Sequence, residues 1–289
     1  MLLLDKPLGY SSNQALQQVK HLLQAAKAGH TGTLDPLATG LLPLCFGEAT
    51  KFAHYLTEAD KVYEATLKLG VTTNTGDAEG QVLSEQAVNV SAQQFAGACR
   101  QFVGEISQIP PMYSALKHEG KALYEYARAG VDIARKPRSV TIQAIEVLDF
   151  AGDVAHIRVK CSKGTYIRTL AEDIGAKLGC GAHLIGLRRT ATANYQIEQS
   201  VSLEQFIAMS AEQQVASLLP ADSAVAVLPA IELDADSAFY ISQGQAIWQS
   251  GAIPSGLLRL YNPQQLFLGL GEQQPDGKIG PKRLIVQPG

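Results

Sequence analysis

The 289-residue chain has 46% hydrophobic and 18% charged residues, a composition typical of a soluble globular protein with one large core and an added small module or second domain. No apolar run approaches the length of a membrane span, and Asp5, Lys6 and Pro7 end the apolar start too early for a signal peptide, so we expect a cytoplasmic protein with no membrane partner. The net charge of −3 argues against a non-specific nucleic-acid binder, which would depend on broad neutralisation of phosphates.

The first part of the chain is predicted to lead through a strand and a helix into a glycine-rich loop. Ser11 and Gln14 have the spacing of a capping box, and apolar residues at helical spacing then predict an amphipathic helix that extends towards Gly29. Beyond the loop, residues 62–69 and 81–83 have the composition of strands.

A second capping box, formed by Ser91 and Gln94, predicts another helix with a buried face. The prolines that follow interrupt this pattern, and residues 113–138 mix basic side chains with tyrosines. That segment is either a helix with solvated flanks or a mobile insertion that becomes ordered on a ligand. The expected buried stripe of the helix consists of Phe95, Cys99, Phe102, Val103 and Ile106.

The rest of the chain contains one clear strand, one clear helix and a change of composition. Residues 154–161 alternate apolar and polar side chains, as a half-buried strand does. An apolar stripe from Ile167 to Leu178 predicts a helix that ends at Gly179. After about Leu219 the pattern indicates a small barrel-type module. Its β-like pieces are residues 256–261, 266–270 and 283–286, with a helical stretch near 237–243.

The chain carries none of the common cofactor or metal motifs. It has no Walker A or dinucleotide fingerprint, no HExxH and no GxSxG. Its cysteines lack CxxC spacing, so buried free thiols fit better than disulfides or a metal site. We therefore expect no cofactor and no metal. The cysteines are Cys45, Cys99, Cys161 and Cys180.

The charges are unevenly distributed along the chain. Residues 117–138 contain six basic and three acidic residues, and residues 153–189 contain seven basic and three acidic residues. These stretches predict a local basic surface on a mildly acidic protein, although ordinary solvated faces would give the same pattern.

The loop from Gly29 to Gly40, GHTGTLDPLATG, is the most informative segment because it presents one carboxylate on a stiff backbone. Pro36 fixes its own φ and favours an extended conformation at Asp35, which keeps this carboxylate out of a helix. With no partner carboxylate in a comparable loop, Asp35 suits covalent or electrostatic catalysis at an anomeric carbon better than two-carboxylate glycoside hydrolysis. The Asp-Pro dipeptide alone favours an ordinary turn.

Several motifs of the chain resemble those of the TruB family, the bacterial tRNA pseudouridine-55 synthases. They are the GHTGTLDPLATG loop, the opening LLLDKP with Ser11-Ser12-Asn13, PPMYSALK at residues 110–117 and CSKGTYIR at residues 161–168. Together they extend the resemblance along nearly the whole chain.

The resemblance implies an α+β fold with a pseudouridine-synthase-type sheet. This sheet is expected to be mixed, mainly antiparallel and flanked by helices, with a small C-terminal PUA-like β-barrel module. The implied domains are a catalytic domain at residues 1–224 and an RNA-binding module at residues 225–289. A thumb-like insertion at about residues 113–138 would close over the RNA.

The resemblance also implies catalytic roles. Asp35 matches the family's nucleophile, which acts in breaking the N1 glycosidic bond of a uridine taken out of its stack. Arg168 matches the arginine that pairs with this aspartate and favours its charged form; the alternative for Arg168 is a phosphate contact or a surface ion pair. Tyr166 matches a second active-site tyrosine, a candidate for handling the C5 proton late in the reaction.

Four residues are expected to bind the substrate. Tyr63 matches the tyrosine that stacks on the flipped uracil, Leu187 matches a position beside the ring, and Tyr166 is shared with the catalytic set. His30 resembles a histidine that contacts RNA around the vacated base. Without the resemblance, Tyr63 and Leu187 would be read as packing residues and His30 as a residue that orders the loop. Weaker candidates for phosphate binding are Lys278, Lys282 and Arg283.

The implied activity is the isomerisation of uridine 55 in the T-loop of tRNA to pseudouridine. The N-glycosidic bond is cleaved with the help of Asp35, the base rotates, and a C–C bond rejoins it to the sugar. The partner is the T-arm stem-loop of tRNA, and the protein is expected to act as a monomer. Two alternatives remain open: a non-catalytic RNA-binding or tRNA-folding protein on the same scaffold, and an isomerase that acts on a different RNA.

Overall fold

A computed structural model describes residues 1–250 and 254–286 of the chain. The helices are α1 Ser12–Leu22, α2 Ala53–Glu58, α3 Ala92–Arg100, α4 Leu123–Arg128, α5 Ile167–Leu178, α6 Leu203–Ala208, α7 Ala211–Ala216 and α8 Ala235–Ser242, with short 3-10 helices at Gly47–Phe52, Ile197–Gln199 and Ala221–Val225. The strands are β1 Leu2–Lys6, β2 Ala28–His30, β3 Ala38–Phe46, β4 Lys61–Leu69, β5 Val71–Thr73, β6 Val82–Glu85, β7 Gly104–Gln108, β8 Lys117–His118, β9 Lys121–Ala122, β10 Arg138–Ala151, β11 Val154–Cys161, β12 Ala182–Thr192, β13 Tyr195–Gln196, β14 Val201–Ser202, β15 Ala230–Glu232, β16 Leu257–Tyr261, β17 Phe267–Gln273 and β18 Ile279–Leu284.

The central sheet has ten strands and is mixed but mainly antiparallel, which confirms the expected fold class. Eight of its strands follow the order β14-β1-β3-β12-β4-β11-β10-β7, with β13 beside β12 and β2 beside β3. Among its described strands, the parallel pairs are β1 with β14 and β3 with β12. The parallel contact sets the end of the Asp35 loop, where β3 begins, beside Leu187 on β12.

One face of this sheet carries the main core. Side chains of β4 alternate, so Tyr63, Ala65 and Leu67 are buried while Glu64 and Thr66 are partly exposed on the other face. Apolar side chains of α1, α3, α5 and α6 cover the buried face. Burial of this layer is the main favourable term that fixes β4, β12 and α5 relative to one another.

A second core joins the central sheet to the C-terminal part of the chain. Leu41 of β3 packs in one cluster with Phe52 and Leu56, and Phe267 and Leu270 of β17 belong to the same cluster. The rings of Phe52 and Phe267 lie with their centroids 5.4 Å apart. The segment before β4 is therefore sandwiched between the sheet and the C-terminal module.

The C-terminal module contains a four-stranded sheet in the order β15-β16-β17-β18. Its strands do not close into a barrel within the described residues. Polar contacts add to its apolar attachment: the Lys51 ammonium donates to the Leu284 carbonyl at 2.9 Å, and the Val286 amide donates to the Glu48 carboxylate at 2.6 Å.

Most element predictions agree with the structure, and two are wrong at their ends. The capping boxes at Ser11 and Ser91 are both present, and α5 ends at Gly179, whose φ of 79° is readily adopted by glycine. However, α1 ends at Leu22 rather than near Gly29.

The predicted buried stripe also extends too far. Helix α3 ends at Arg100, and Ile106 lies on β7 instead. Val103 is exposed between the two elements. Gly104, with a φ of 114°, lets the chain turn directly into β7, so the helical spacing of the last two apolar residues was coincidental.

All four cysteines are free and buried, as expected. In the described part of the chain, no helix has the length and apolar character needed to cross a bilayer.

Candidate active site

The Asp35 loop is pinned by backbone contacts on both sides of the acid. The buried hydroxyl of Ser12, the first residue of α1, accepts from the Leu34 amide at 2.7 Å and donates to the Leu34 carbonyl at 3.0 Å. On the other side, the Gly9 amide donates to the Pro36 carbonyl at 2.9 Å. The predicted stiffness of this loop therefore comes from neighbouring segments as well as from Pro36.

Beneath the loop lies the guanidinium of Arg189, which is almost fully buried. It donates to the Leu41 carbonyl at 2.7 Å and to the Gly32 carbonyl at 3.3 Å. Gly40 lies against the backbone of the same arginine: a Cβ at this position would come within 2.3 Å of the Arg189 carbonyl oxygen. The glycine that ends the loop thus allows β3 to approach β12 closely.

Asp35 forms an ion pair with Arg168, in the first turn of α5. The Arg168 Nη2 and the Asp35 Oδ2 lie 2.9 Å apart, and the exposed fractions of the two side chains are 5% for Arg168 and 39% for Asp35. The carboxylate is therefore open on one side while its cation is enclosed. This geometry confirms the predicted pairing as a contact.

Three further acceptors fix the Arg168 guanidinium. Nη1 lies 3.4 Å from the Asp77 carboxylate and donates to the Thr75 carbonyl at 3.0 Å, while Nη2 donates to the Tyr113 carbonyl at 2.6 Å. Asp77 is itself buried and accepts from the Thr75 hydroxyl at 2.6 Å. The cation is held in one orientation by groups from three separate segments.

The environment of Asp35 affects its charge in opposing directions. Burial raises the pKa of the Asp35 carboxyl, Arg168 counteracts this as the nearest cation, and the like charge of Asp77 raises the pKa further. Arg168 thus favours the ionised form of a carboxylate that its surroundings make more basic than an ordinary aspartate.

A cavity of about 560 Å³ opens in front of Asp35. Its wall includes four other residues that the sequence singled out: Tyr63, Tyr166, Arg168 and Leu187. Tyr63 lies opposite Arg189 in the β4–β12 register, and burial raises the pKa of its phenol. The cavity is therefore bounded by a carboxylate and a guanidinium at one end and by aromatic and aliphatic surface beside them.

Tyr166 directly precedes α5 and is held through its backbone. The buried amide of Gln108 accepts from the Tyr166 N–H at 3.0 Å and donates to the Tyr166 carbonyl at 3.2 Å. Burial raises the pKa of the Tyr166 phenol, so it is neutral at pH 7. Gln108 is the last residue before the segment that leads to the insertion.

His30 is the predicted site residue that lies apart from this group. It is on β2, and among the described residues it is not part of the cavity wall. Its Nδ1 is buried and has no hydrogen-bond partner in the described part of the chain. Burial and the nearby Arg189 lower the pKa of the imidazole, which favours its neutral form.

The basic surface expected from residues 153–189 is partly neutralised by ion pairs. Arg158 pairs with Glu64 and Glu146, Lys163 pairs with Glu58, and Arg188 pairs with Asp5. These carboxylates are close to the basic side chains in space but lie outside residues 153–189 in the sequence. The charge count along that stretch therefore did not include them.

The insertion keeps more of its basic character. Lys121 and Arg128 lie over the rings of Tyr126 and Tyr124 at 5.2 and 5.5 Å, and Arg138 lines the cavity. Within this segment the structure contains a short hairpin, formed by β8 and β9, and helix α4.

Sequence reasoning missed Arg189, which supports the loop and lines the cavity, and also Asp77 and Gln108. Asp77 lies in a polar loop between β5 and β6, and Gln108 lies at the end of β7, two positions after the last residue of the expected buried stripe. The available signals were weak: a carboxylate after a Thr-Asn-Thr-Gly turn and a polar residue just before Ile-Pro-Pro. Among the described residues, no cluster of three or more His, Cys, Asp or Glu side chains is arranged to hold a metal ion.

Three family models match consecutive parts of the chain. Residues 20–167 match the TruB family pseudouridylate synthase N-terminal domain, residues 168–226 match the tRNA pseudouridylate synthase B C-terminal domain, and residues 229–285 match the C-terminal model of pseudouridine synthase II TruB. These matches span both the cavity and the C-terminal module.

Similar curated proteins and solved structures agree with these matches. The chain is 60% identical to tRNA pseudouridine synthase B of Methylobacillus flagellatus over 100% of its own length and 96% of the relative. It is 54% identical to the protein of that name from Thiobacillus denitrificans, over 99% and 95%. A chain of a Cbf5–Nop10–Gar1 crystal structure is 26% identical and superimposes with a TM-score of 0.73 over 99% of this chain and 83% of that one. The chain therefore belongs to the TruB family of pseudouridylate synthases.

Proposed function

We propose that this protein isomerises uridine 55 in the T-loop of tRNA to pseudouridine. The observation that carries the proposal is the Asp35 carboxylate, which is open to a cavity on one side and paired with the enclosed Arg168 at 2.9 Å on the other. The names of the curated relatives, tRNA pseudouridine synthase B, support tRNA as the substrate.

In this reaction Asp35 acts on the target nucleoside as an ionised carboxylate. The bond between N1 and C1′ breaks, its electron pair leaves with the uracil, and Asp35 compensates the electron-deficient C1′ by covalent or electrostatic contact. The uracil rotates and bonds through C5 to C1′, after which C5 loses its proton and N1 gains one. Atoms balance without an oxidant, a reductant or a second substrate.

Arg168 and Tyr166 assist this chemistry in different ways. Arg168 keeps Asp35 charged and orients it, because the cation is itself fixed by Asp77 and two carbonyls. Tyr166 is a neutral phenol beside the cavity, so it serves as a hydrogen-bonding group that relays the C5 proton rather than as a phenolate base.

The flipped uracil stacks on Tyr63 and contacts Leu187, both of which line the cavity. His30 binds the RNA around the vacated base, outside the cavity wall. Its imidazole is half-buried and kept neutral by burial and by Arg189, so its contribution there is a contact of the uncharged ring rather than of a cation.

The rest of the molecule binds the T-arm. Residues 1–224 form the catalytic domain and residues 225–289 the RNA-binding module, with the insertion at about 113–138 closing over the stem-loop. The exposed basic side chains of that insertion supply contacts to RNA phosphates. The protein acts as a monomer in the cytoplasm and needs no cofactor.

The test is the variant Asp35→Asn, which keeps the shape of the side chain and removes its charge. We expect no pseudouridine in an unmodified T-arm stem-loop, measured by release of tritium from C5 of uridine, with RNA affinity nearly unchanged. Asp60→Asn is the matched control, because Asp60 is exposed and does not line the cavity. Wild-type turnover in Asp35→Asn would refute the nucleophile assignment.

The same assay separates the alternatives. A wild-type protein that binds tRNA and forms no pseudouridine would support the non-catalytic RNA-binding function. Pseudouridine mapped only at another site or in another RNA would retain the isomerase and refute the T-loop target.

A further inference from the structure

The only tryptophan of the chain, Trp248, lies on the surface of the C-terminal module. Its side chain is 67% exposed, although tryptophan is usually one of the more buried residues. The apolar core of this module is formed by other side chains, including Leu233, Ile241 and Leu258. The indole therefore adds little to the packing of the module, and its exposed surface requires another explanation.

The hairpin that joins β17 to β18 anchors the backbone next to the indole and borders one edge of the ring. Ile247, the preceding residue, forms a β-bridge with Ile279, with amide-to-carbonyl distances of 3.0 and 2.9 Å in the two directions. The ring edge lies against Gly277, where an added Cβ would be 3.3 Å from Cζ3. A ring fixed in this way loses little conformational entropy when a ligand covers it.

A cation accompanies the ring. The ammonium of Lys278 lies 5.7 Å from the centroid of the Trp248 ring, within the range of a cation–π contact. Asp276 is 3.6 Å from the same ammonium and 53% exposed, so this ion pair is weak and leaves the lysine able to contact an anion.

We propose that Trp248 and Lys278 form a nucleotide-binding site, at which an unpaired base of the RNA substrate stacks on the indole while its phosphate contacts the lysine. An aromatic face beside a cation matches the two parts of a single-stranded nucleotide, the flat base and the charged backbone. A protein partner would be expected to use a larger apolar patch. This inference rests on the proposed function, because it takes the RNA substrate as the ligand.

The site gives the RNA a second attachment outside the catalytic cavity. Stacking is insensitive to base identity because each base has a π-face, so the site contributes affinity rather than choice of sequence. It therefore acts on the binding of whole tRNA and leaves the chemical step unchanged.

Fluorescence of the single tryptophan reports directly on this site. The full-length protein carrying Asp35→Asn is titrated with whole unmodified tRNA, with excitation outside the tyrosine absorption band, so that no turnover occurs. We expect saturable quenching by tRNA and also by a short single-stranded oligoribonucleotide, since base stacking on indole quenches its emission. Unchanged emission at saturating tRNA would overturn the proposal.

Substitutions test the energetic contribution in the otherwise wild-type protein. Trp248→Leu is expected to weaken the binding of whole tRNA about fivefold or more, whereas Trp248→Tyr, which keeps an aromatic face, retains most of the affinity. Lys278→Gln also weakens binding. The matched control is Phe239→Leu, an aromatic residue of the same module that is 61% exposed and has no cation over its ring in the described structure.

Two further outcomes distinguish this proposal from the function on which it rests. If the wild-type protein forms pseudouridine and Trp248→Leu binds tRNA as tightly as Phe239→Leu, only the nucleotide site is refuted. Emission that changes with protein concentration in the absence of RNA would assign the indole to contacts between copies of the chain and would also refute it. Thermal unfolding of each variant verifies that the module is folded.

Discussion

Asp77→Asn tests whether the second carboxylate on Arg168 serves catalysis from outside the cavity. Asp77 is buried, 3.4 Å from Arg168 Nη1, and is not part of the cavity wall in the described structure. The asparagine keeps the shape of the side chain and an oxygen that can accept from the guanidinium. The perturbation is therefore the loss of one charge from the network.

The expected cost follows from the contacts that remain. At 3.4 Å and an effective dielectric constant of about 20, the lost attraction is about 5 kcal/mol. Arg168 keeps its ion pair with Asp35 and its two carbonyl acceptors, and the repulsion between the two aspartates disappears. We therefore expect a net loss of about 1–3 kcal/mol in transition-state stabilisation, which corresponds to a decrease in kcat of about 5- to 150-fold.

The pH profile should change in the direction that the charges dictate. Because the negative charge of Asp77 raises the pKa of Asp35, its removal should lower that pKa and move the acid limb of kcat/KM to lower pH. A mutation that simply disordered the site would lower kcat without this shift.

The assay is the initial rate of tritium release from C5 under multiple-turnover conditions, at several RNA concentrations and across a pH series. Glu172→Gln is the control, because Glu172 is a nearby carboxylate on α5 whose pKa is affected by Arg168 and Asp77 but which forms no ion pair with Arg168 in the described structure. Wild-type kcat and an unshifted acid limb in Asp77→Asn would refute the role of Asp77 in orienting Arg168 for catalysis.

Three other predictions concern the supports of the site. Gln108→Leu removes both hydrogen bonds to the Tyr166 backbone and should lower kcat about tenfold with little change in KM. Gln108→Glu retains the acceptor for the Tyr166 amide and should recover part of the lost kcat. Equal kcat in both variants would contradict the supporting role of Gln108. Gly40→Ala should destabilise the protein by about 2 kcal/mol more than Gly9→Ala in urea unfolding, because both have positive φ but only Gly40 faces a backbone at 2.3 Å. Burial lowers the pKa of Lys6 to about 8, so between about pH 8 and 10.4 the unfolded chain binds more protons than the folded one. The free energy of unfolding should therefore rise with pH in that window, and Lys6→Met should reduce this slope. An unchanged slope in the variant would contradict the pKa shift of Lys6.

Local patterns predicted the elements that local physics determines. The capping boxes of α1 and α3, the alternation of β11 and the glycine stop of α5 each depend on residues a few positions apart, and each is present in the structure. The end of α3 was missed because apolar spacing continued past Arg100 by chance, while Gly104 turned the chain. Helix ends of this kind depend on backbone angles that periodicity does not encode.

In the site, too, some features follow from local motifs and others depend on residues far apart in the sequence. The pairing of Asp35 with Arg168 was expected from motifs, but its reinforcement by Asp77 depends on a loop folding back against α5 over about ninety residues of sequence separation. The sequence left open whether residues 153–189 form a basic surface, and the partners of these residues explain why. Three of its cations pair with Glu58, Glu64 and Asp5, which are distant in sequence and are therefore not included in a count of charges along the stretch.

The sandwiched segment before β4 has a consequence for how the molecule can be divided. Phe52 and Leu56 are covered on one side by the C-terminal module through Phe267 and Leu270, and a few residues later Glu58 forms part of the cavity wall. A catalytic fragment cut at residue 224 would expose this apolar seam to water next to its own active site. We therefore expect the fragment of residues 1–224 to be less stable than the full-length protein, because the C-terminal module covers part of its apolar surface.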